Sequence, residues 1–533
     1  MSEKRISSVW VAVLGVVIGV LLVLTLQKVT ENNRRLNAQY NDWRKLNLVL
    51  QKVDEMYVDT VDHKNVTDAA ISAALSRLDP HSVYMPPAEL EESETDLAGN
   101  FDGIGIQFNV PNDTAIVLEV IPGGPSEKIG MLPGDRLLRV DDKVIAGVNF
   151  PQDSMVRRMK GPAGTKVMVT VLRDGVVIPF EITRGKIPVH CVDASFMVDD
   201  ETGYIRLSKF SRTTHSEVLN ASIELLSKGM KHLVFDIRDN TGGYFDQALL
   251  LSNLFLHRGD MIVYMEGLHR KREEYKADGK GILKDVKLTV LTNESSASSS
   301  EIFAGAIQDN DRGVIIGRRS FGKGLVQEPV YFTDGSGIRL TVARFYTPSG
   351  RCIQKPYSDD YRYDIINRYN DGEMTDADSM KVDRSEEFLT KGGRKVYGGG
   401  GIIPDVFVPL DTTLATKFYV DCNRKATSMR FASDYFDKHK AELSGIGDYD
   451  ELLKYLDSSS IENRFLAFAK AKDGLTPSSD EEWAETKIYL MPQVKALVGR
   501  YSKLGDDAFY HLYLDIDDTF AEAMKPHEIV TVR

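Results

Sequence analysis

Residues 287–317, KLTVLTNESSASSSEIFAGAIQDNDRGVIIG, decide how this chain is read. KLTVLTN is a short run of apolar and β-branched residues, the pattern of a buried strand. The serine-rich segment after it opens a helix, and GVIIG reads as the next strand. The alternation continues on the N-terminal side. GYIRLSKF (203–210) reads as a strand and SEVLNASIELLSKG (216–229) as an amphipathic helix. KHLVFDIR (231–238) is a buried strand, and YFDQALLLSNLFL (244–256) is helical. MIVYME (261–266) and IRLTVARFYT (338–347) are further strand candidates. Strands alternating with helices imply an α/β core.

The chain has 533 residues, enough for two to four domains at roughly 100–200 residues each. A hydrophobic share of 42% and a charged share of 27% are ordinary globular usage. They exclude a wholly disordered chain, a collagen-like fibre and a polytopic membrane protein. The net charge of −12 lacks the electrostatic footprint of a nucleic-acid binder. Cys191, Cys352 and Cys422 are too few for a disulfide framework and have no metal-ligand spacing, so they read as structural thiols. One local extreme departs from these averages. Residues 9–26, VWVAVLGVVIGVLLVLTL, carry no charge, and at a rise of ~1.5 Å per residue they can cross a bilayer core. Lys4 and Arg5 precede the run, and TLQKVTENNRR after it offers no small-x-small cleavage site. The expectation is an uncleaved signal anchor over 1–30 with the body outside the cytoplasm. A cleaved signal peptide would give the same compartment.

Between 31 and 100, LNLVLQKVDEMYV and VTDAAISAALSRL have helical spacing, and DPHSVYMPP (79–87) breaks it. From 101 to 185 the pattern turns to short alternating strands, FDGIGIQF, TAIVLEVI, DRLLRVDD and TKVMVTVLRDG. The α/β core runs from 186 to 410. Within it, residues 355–399 are polar and read as an insertion or mobile loop. From 411 to 533 the chain is helical, with Phe431, Tyr435 and Phe436, then Leu452, Leu453 and Leu456, marking helix faces.

In FDGIGIQF, Gly103 and Gly105 stand before a strand. Glycines there let backbone N–H groups converge on an anion, and a peptide can then continue as an added strand. FDGIGIQF, VIPGGPSEKIGMLPGDRLLRVDDKVI and MKGPAGTKVMVTVLRDG together resemble a PDZ domain. That resemblance implies recognition of free C-termini by Gly103, Ile104, Gly105 and Ile106. The plainer alternative is that the glycines only shape a turn.

Two segments carry candidate chemistry. In NESSASSSEIFAGAIQ a serine at a strand-to-helix turn can present its hydroxyl where helix N–H groups stabilise an oxyanion. The same serines would also serve as a polar cap. In GRRSFGKGLVQ (317–327), Gly317, Gly322 and Lys323 fit most of a phosphate loop. Gly324 stands where that loop needs Ser or Thr, and LVQEPVYF reads as a strand rather than the required helix. The competing reading is a catalytic lysine, which must be buried enough to be neutral. Lys323 and Gln327 are four apart, so on a strand they share a face.

Taken together, the motifs resemble the carboxyl-terminal processing proteases, or tail-specific proteases. The matching segments are DPHSVYMPP, the PDZ module, DIRDNTGGYFDQAL, LTNESSASSSEIFAGAIQD, GVIIGRRSFGKGLVQ, RFYTPSGRCIQ and GGGGIIPDV. The resemblance implies a Ser–Lys dyad with a supporting glutamine. SSASSSEI aligns to the family's Gly-Ser-Ala-Ser-Ala-Ser-Glu-Ile and makes Ser298 the nucleophile. Lys323 follows as base and Gln327 as its partner, with Ser296 and Ser300 the weaker nucleophile candidates. Ser299 and either Gly242 or Gly243 would supply the oxyanion N–H groups. Ser295, Ser299 and Thr241 depart from the family's usual Gly, Ala and Pro. Glu301 matches the family and suggests a structural role. None of the ten histidines lies in the catalytic segments. His81, in DPHS, reads as a hydrogen-bonded helper of the N-terminal region. No metal site and no cofactor is implied.

The implied fold is a multidomain α+β chain. It comprises a membrane helix, a helical arm, a PDZ module, a crotonase/ClpP-like α/β protease core and a helical C-terminal region. The implied setting is a bacterial inner membrane with the catalytic body in the periplasm. The implied partners are unfolded or extended proteins with apolar C-termini, the membrane, and no nucleic acid. Self-association or an adaptor would fall to the C-terminal helices. The rival reading is a non-catalytic PDZ-containing binding or scaffold protein on the same fold. An acyl-CoA enzyme would leave the PDZ module without a purpose.

Overall fold

The computed structural model describes residues 44–110, 113–358, 360–412 and 416–527. The expected membrane helix over residues 9–26 lies outside them. Among the described residues no helix is long and apolar enough to cross a membrane. The chain divides into two units, the first ending at Arg77. The described part of that first unit is helical over 44–56 and again at His63–Leu75. Asp62 caps the second helix, accepting from the Asn65 N–H at 3.1 Å.

The second unit is built around a six-stranded sheet. Its order is Val192–Met197, Thr202–Leu207, His232–Asp236, Lys287–Thr292, Val314–Gly317 and Val406–Phe407. The first pair is antiparallel and the rest are parallel. Side chains alternate across it. Leu233 and Phe235 pack with Val218, Leu251 and Phe303 of the helices on one face. Val234 and Leu291 pack with Leu514 and Phe520 of the C-terminal region on the other. A sheet covered on both faces explains why KHLVFDIR is an apolar run rather than an alternating one.

A second, five-stranded sheet carries the lysine segment. Leu325–Tyr331 pairs antiparallel with Gly337–Tyr346, which also pairs with Met261–Gly267 and with Val83–Met85. DPHSVYMPP therefore does more than interrupt the helical arm, because its Val-Tyr-Met supplies an edge strand. Residues 78–100 belong with the second unit.

The PDZ module has a sheet ordered Ile106–Asn109, Ala115–Val120, Arg136–Val140, Lys166–Arg173 and Val176–Thr183. It packs over Ile104, Val117, Leu137, Met155 and Met159. Its entry and exit strands, Asn100–Gly103 and Gly185–Pro188, pair with each other.

The segment 355–399, expected as an insertion or mobile loop, contains a helix at Asp364–Asn370 and a hairpin of Glu387–Leu389 with Lys395–Tyr397. Its buried groups include the charged Lys355, Arg368 and Glu373. Arg368 donates to Glu373 at 2.8 Å and Lys355 to Asp364 at 2.9 Å, and Arg319 also holds Glu373. A segment that buries ion pairs reads as polar in sequence, which is why its packing was not legible there.

The C-terminal helices have their own core around Phe431, Phe436, Leu452 and Phe465. They touch the PDZ module through an Arg136–Asp437 ion pair and through Leu118. They touch the α/β core through Arg238, which joins Asp236 (2.6 Å) to Asp517 (2.7 Å). Burial pushes the Asp236 carboxyl up, but Arg238 and Arg206 overcome it and hold it well below the usual carboxylate range. All three cysteines are free thiols, with Cys191 and Cys422 buried. Replacing Arg238→Met strips the fully buried Asp236 of its main partner. Unfolding in denaturant is expected to show a loss of about 3–5 kcal/mol.

Candidate active site

The strand Lys287–Thr292 ends in a turn that leads into the helix Ser299–Asp309. Asn293, 5% exposed, shapes the turn. Its Oδ1 accepts from the Asp239 N–H (2.9 Å) and the Ser295 N–H (3.1 Å). The serines then separate by what their hydroxyls do. Ser296 donates to the Ile237 carbonyl at 2.8 Å, Ser300 to the Asn240 carbonyl at 2.8 Å and Ser299 to the Gly243 carbonyl at 3.0 Å. Those three hydroxyls hold the turn together. Ser298 is half-buried and sits at φ 56°, ψ −113°, a conformation that L-residues rarely adopt. Strain of this kind at a strand-to-helix turn thrusts a side chain forward.

Against this turn lies the Gly-Gly loop. Asn240, fully buried, donates to the Leu207 carbonyl (2.9 Å), and its Oδ1 accepts the Gly242 N–H (2.9 Å). The Asn240 carbonyl accepts the Ala297 N–H at 3.0 Å, which fixes the loop to the serine turn. Both glycines have positive φ, 98° and 148°. A Cβ on Gly242 would come within 2.8 Å of the Ser298 Cβ, so glycine is needed for the close approach. The two glycines, left open by the sequence, differ here. The Gly242 N–H is spent on Asn240, whereas the Gly243 N–H donates no hydrogen bond among the described residues.

Glu301, one turn into the helix and with no exposed surface, joins the serine to the lysine. Its Oε2 accepts the backbone N–H of Ser298 (2.9 Å) and of Lys323 (2.8 Å). Its Oε1 accepts the Gly322 N–H (2.7 Å) and the Ser320 hydroxyl (2.5 Å). Burial pushes the Glu301 carboxyl up, and these four donors oppose that. The Ser298 and Lys323 backbones thus meet on one oxygen atom. Their side chains make no hydrogen bond with each other among the described residues.

Lys323 is half-buried in the loop before the strand Leu325–Tyr331, not on it. The same-face argument for Lys323 and Gln327 needs both on one strand, so it does not apply. Burial, then the Arg339 guanidinium, lowers the Lys323 pKa, and Glu301 and Asp79 oppose them. Gln327 donates its amide to the His81 carbonyl at 2.6 Å. His81 meets the Tyr361 hydroxyl at 2.7 Å. Burial, then the nearby Lys323, holds His81 down at about 4. Lys355 stands over the rings of Phe321 (3.8 Å) and Tyr361 (4.4 Å). Sequence reasoning did not place His81, Gln354, Lys355 or Tyr361 here, although DPHS was a visible signal for the first.

In the PDZ module the Ile104 carbonyl accepts from the Ser126 N–H (3.0 Å) and hydroxyl (2.7 Å). The Gly105 carbonyl accepts from the Ile121 N–H (3.1 Å), and Gly105 has φ 79°. Ile106 begins the strand Ile106–Asn109, which is the edge of its sheet. Gly103 closes the entry strand.

A serine at a strained turn, a desolvated lysine tied to it and an appended PDZ sheet define a serine-type peptidase with a peptide-binding module. Residues 201–363 match peptidase family S41, and residues 103–183 match the PDZ domain. Residues 21–88 match the N-terminal domain of the activating protease CtpB, and 418–502 match a family of unknown function. The carboxy-terminal-processing protease of Bartonella bacilliformis is 35% identical over 348 residues, 64% of this chain and 79% of that protein. The carboxy-terminal processing protease CtpA of Bacillus subtilis is 35% identical over 317 residues, 58% of this chain and 66% of that protein. A photosystem II D1 C-terminal processing protease structure is 27% identical. It covers 68% of this chain and 86% of its own, with a TM-score of 0.36. The chain belongs to the carboxy-terminal processing protease family and is a serine-type peptidase. Because Glu301 faces donors only, Glu301→Gln would turn an amide N–H₂ against two of them. Peptidase assays should show kcat down about 100-fold, and thermal unfolding should show a lower midpoint.

Proposed function

We propose that this chain is a membrane-anchored endopeptidase of the cell envelope. It captures the C-terminal tail of extended protein substrates on its PDZ module and cleaves them through Ser298 and Lys323. The observation that carries the reading is the buried Glu301 carboxylate, which binds the backbones of a strained serine and a desolvated lysine through one oxygen. Ser298 is also the serine of the motif's SASSS run whose hydroxyl, among the described residues, donates to no carbonyl of the neighbouring loops.

Neutral Lys323 takes the proton of the Ser298 hydroxyl as Oγ attacks the scissile carbonyl carbon. The oxyanion that forms is held by the N–H groups of Ser299, at the helix N-terminus, and of Gly243. The resulting ammonium returns its proton to the leaving amine as the peptide C–N bond breaks. Water then attacks the acyl-enzyme ester, giving its proton to Lys323, which passes it to the Ser298 Oγ as the ester C–O bond breaks and the acid product leaves. Gln327 orients Lys323. Its NH₂ faces the His81 carbonyl, which leaves Oε1, the acceptor an amine requires. The substrate's C-terminal carboxylate docks at Gly103, Ile104, Gly105 and Ile106, and the tail extends along the open edge of Ile106–Asn109. The apolar run at residues 9–26 supplies the anchor.

The test uses the chain without residues 1–30 and an unfolded protein with an apolar C-terminus. Ser298→Ala and Lys323→Ala should each lower kcat by about 1,000-fold or more. Undiminished turnover in either removes the dyad. Since only the neutral amine accepts the proton, activity should rise with pH on an acid limb below the ordinary lysine value of 10.5. Amidating the substrate's C-terminus should raise KM with little change in kcat, and an unchanged KM would reject the tail site while leaving the protease.

A further inference from the structure

The motif DPHS is absorbed by neither the dyad nor the PDZ module. Asp79, 9% exposed, accepts the N–H groups of His81 and Ser82 on Oδ1, both at 2.7 Å. Its Oδ2 accepts the Ser82 hydroxyl at 2.7 Å. The Ser82 Oγ in turn accepts the Thr341 N–H at 3.1 Å. Thr341 is the cross-strand neighbour of Gln327. The turn is therefore welded to the strand opposite Gln327, and its His81 carbonyl reaches over to take the Gln327 amide.

The same turn continues on its other side. The His81 Nε2 meets the Tyr361 hydroxyl, and the rings stand edge to face, 5.4 Å between centroids. The Tyr361 Oη accepts from the Gln354 Nε2 at 3.2 Å, and the Gln354 Oε1 accepts the Gly324 N–H at 3.0 Å. The Tyr361 oxygen thus accepts from Gln354 while it pairs with His81, whose ring burial and the nearby Lys323 keep neutral. The bonds run from Gln327 through His81, Tyr361 and Gln354 to Gly324. They close a circuit over the backbone from Gly324 to Gln327, directly after the lysine.

We infer that the Asp79–Ser82 turn and Tyr361 are positioning residues of the dyad, setting the Gln327 amide and closing the pocket beside Lys323. This gives the 355–399 segment a part in the reaction, as the donor of Tyr361. The charged and titratable groups that face Lys323 come from three elements. They are Arg339 on Gly337–Tyr346, Glu301 on the helix, and Asp79 and His81 on the turn. Lys355, on the loop after Gln354, acts on His81.

The inference rests on the Ser298–Lys323 reading, and one experiment separates the two. Tyr361→Phe keeps the ring and removes the hydroxyl. In the full chain it should lower kcat about 10-fold at unchanged KM. The acid limb of kcat should move up toward the ordinary lysine value as water reaches the amine, with thermal unfolding unmoved. Asp79→Ala should act in the same direction, and Asp79→Asn, which retains Oδ1, should restore most of the rate. A Tyr361→Phe enzyme with wild-type kcat and pH profile, or one altered only in KM, overturns the inference. Ser298→Ala would remain inactive in that case. Activity that survives Ser298→Ala instead overturns the dyad reading on which the inference stands.

Discussion

A single buried carboxylate governs the geometry of the site. Glu301 receives donors from Ser298, Ser320, Gly322 and Lys323 and faces no solvent. Charge-assisted bonds in a dry setting are strong, and each N–H left without an acceptor there would be costly. The Phe321 N–H donates to the Ser296 carbonyl at 3.0 Å, which brings the Gly-Lys-Gly loop beside the serine turn. Glu301 then fixes the two backbones against each other. It holds both residues by their main chains and leaves the Ser298 and Lys323 side chains out of its own hydrogen bonds.

Outside the site, charge is again placed where apolar packing would be expected. Arg238 between Asp236 and Asp517 joins the C-terminal helices to the sheet, and Arg319 and Arg368 share Glu373 beneath the 355–399 segment. Such pairs add little net stability over apolar contacts, but they are demanding in geometry. They tie peripheral segments to particular positions relative to the catalytic strands.

The sequence was most legible where one physical rule acts alone. Two-sided burial made KHLVFDIR and KLTVLTN readable as strands, and the Gly and Pro punctuation outlined the PDZ module. Within the site, only the family resemblance singled out Ser298 and Lys323, and the residues themselves gave no reason to prefer Ser298 to its neighbours. That depends on where each hydroxyl ends up, and the partners of Ser296 and Ser300 lie about sixty residues upstream, at Ile237 and Asn240. The strand argument for Gln327 failed because the strand begins at Leu325, which leaves Lys323 in the loop before it, where a period-two inference has no hold. The helix and hairpin of the 355–399 segment were not legible because hydropathy has no signature for paired buried charge. Arg270–Lys276 escaped notice as a strand for a related reason: RKREEYK lies at the exposed edge of its sheet, where polar side chains are suited.

The pairing of Asn100–Gly103 with Gly185–Pro188 has a mechanical meaning. The module has a second attachment, where Arg136 pairs with Asp437 and Leu118 meets the C-terminal helices. A body pinned at a ribbon and at a second point cannot swivel about the ribbon alone. The edge strand Ile106–Asn109 therefore keeps one orientation, and turning it has to break the Arg136–Asp437 contact or bend the ribbon.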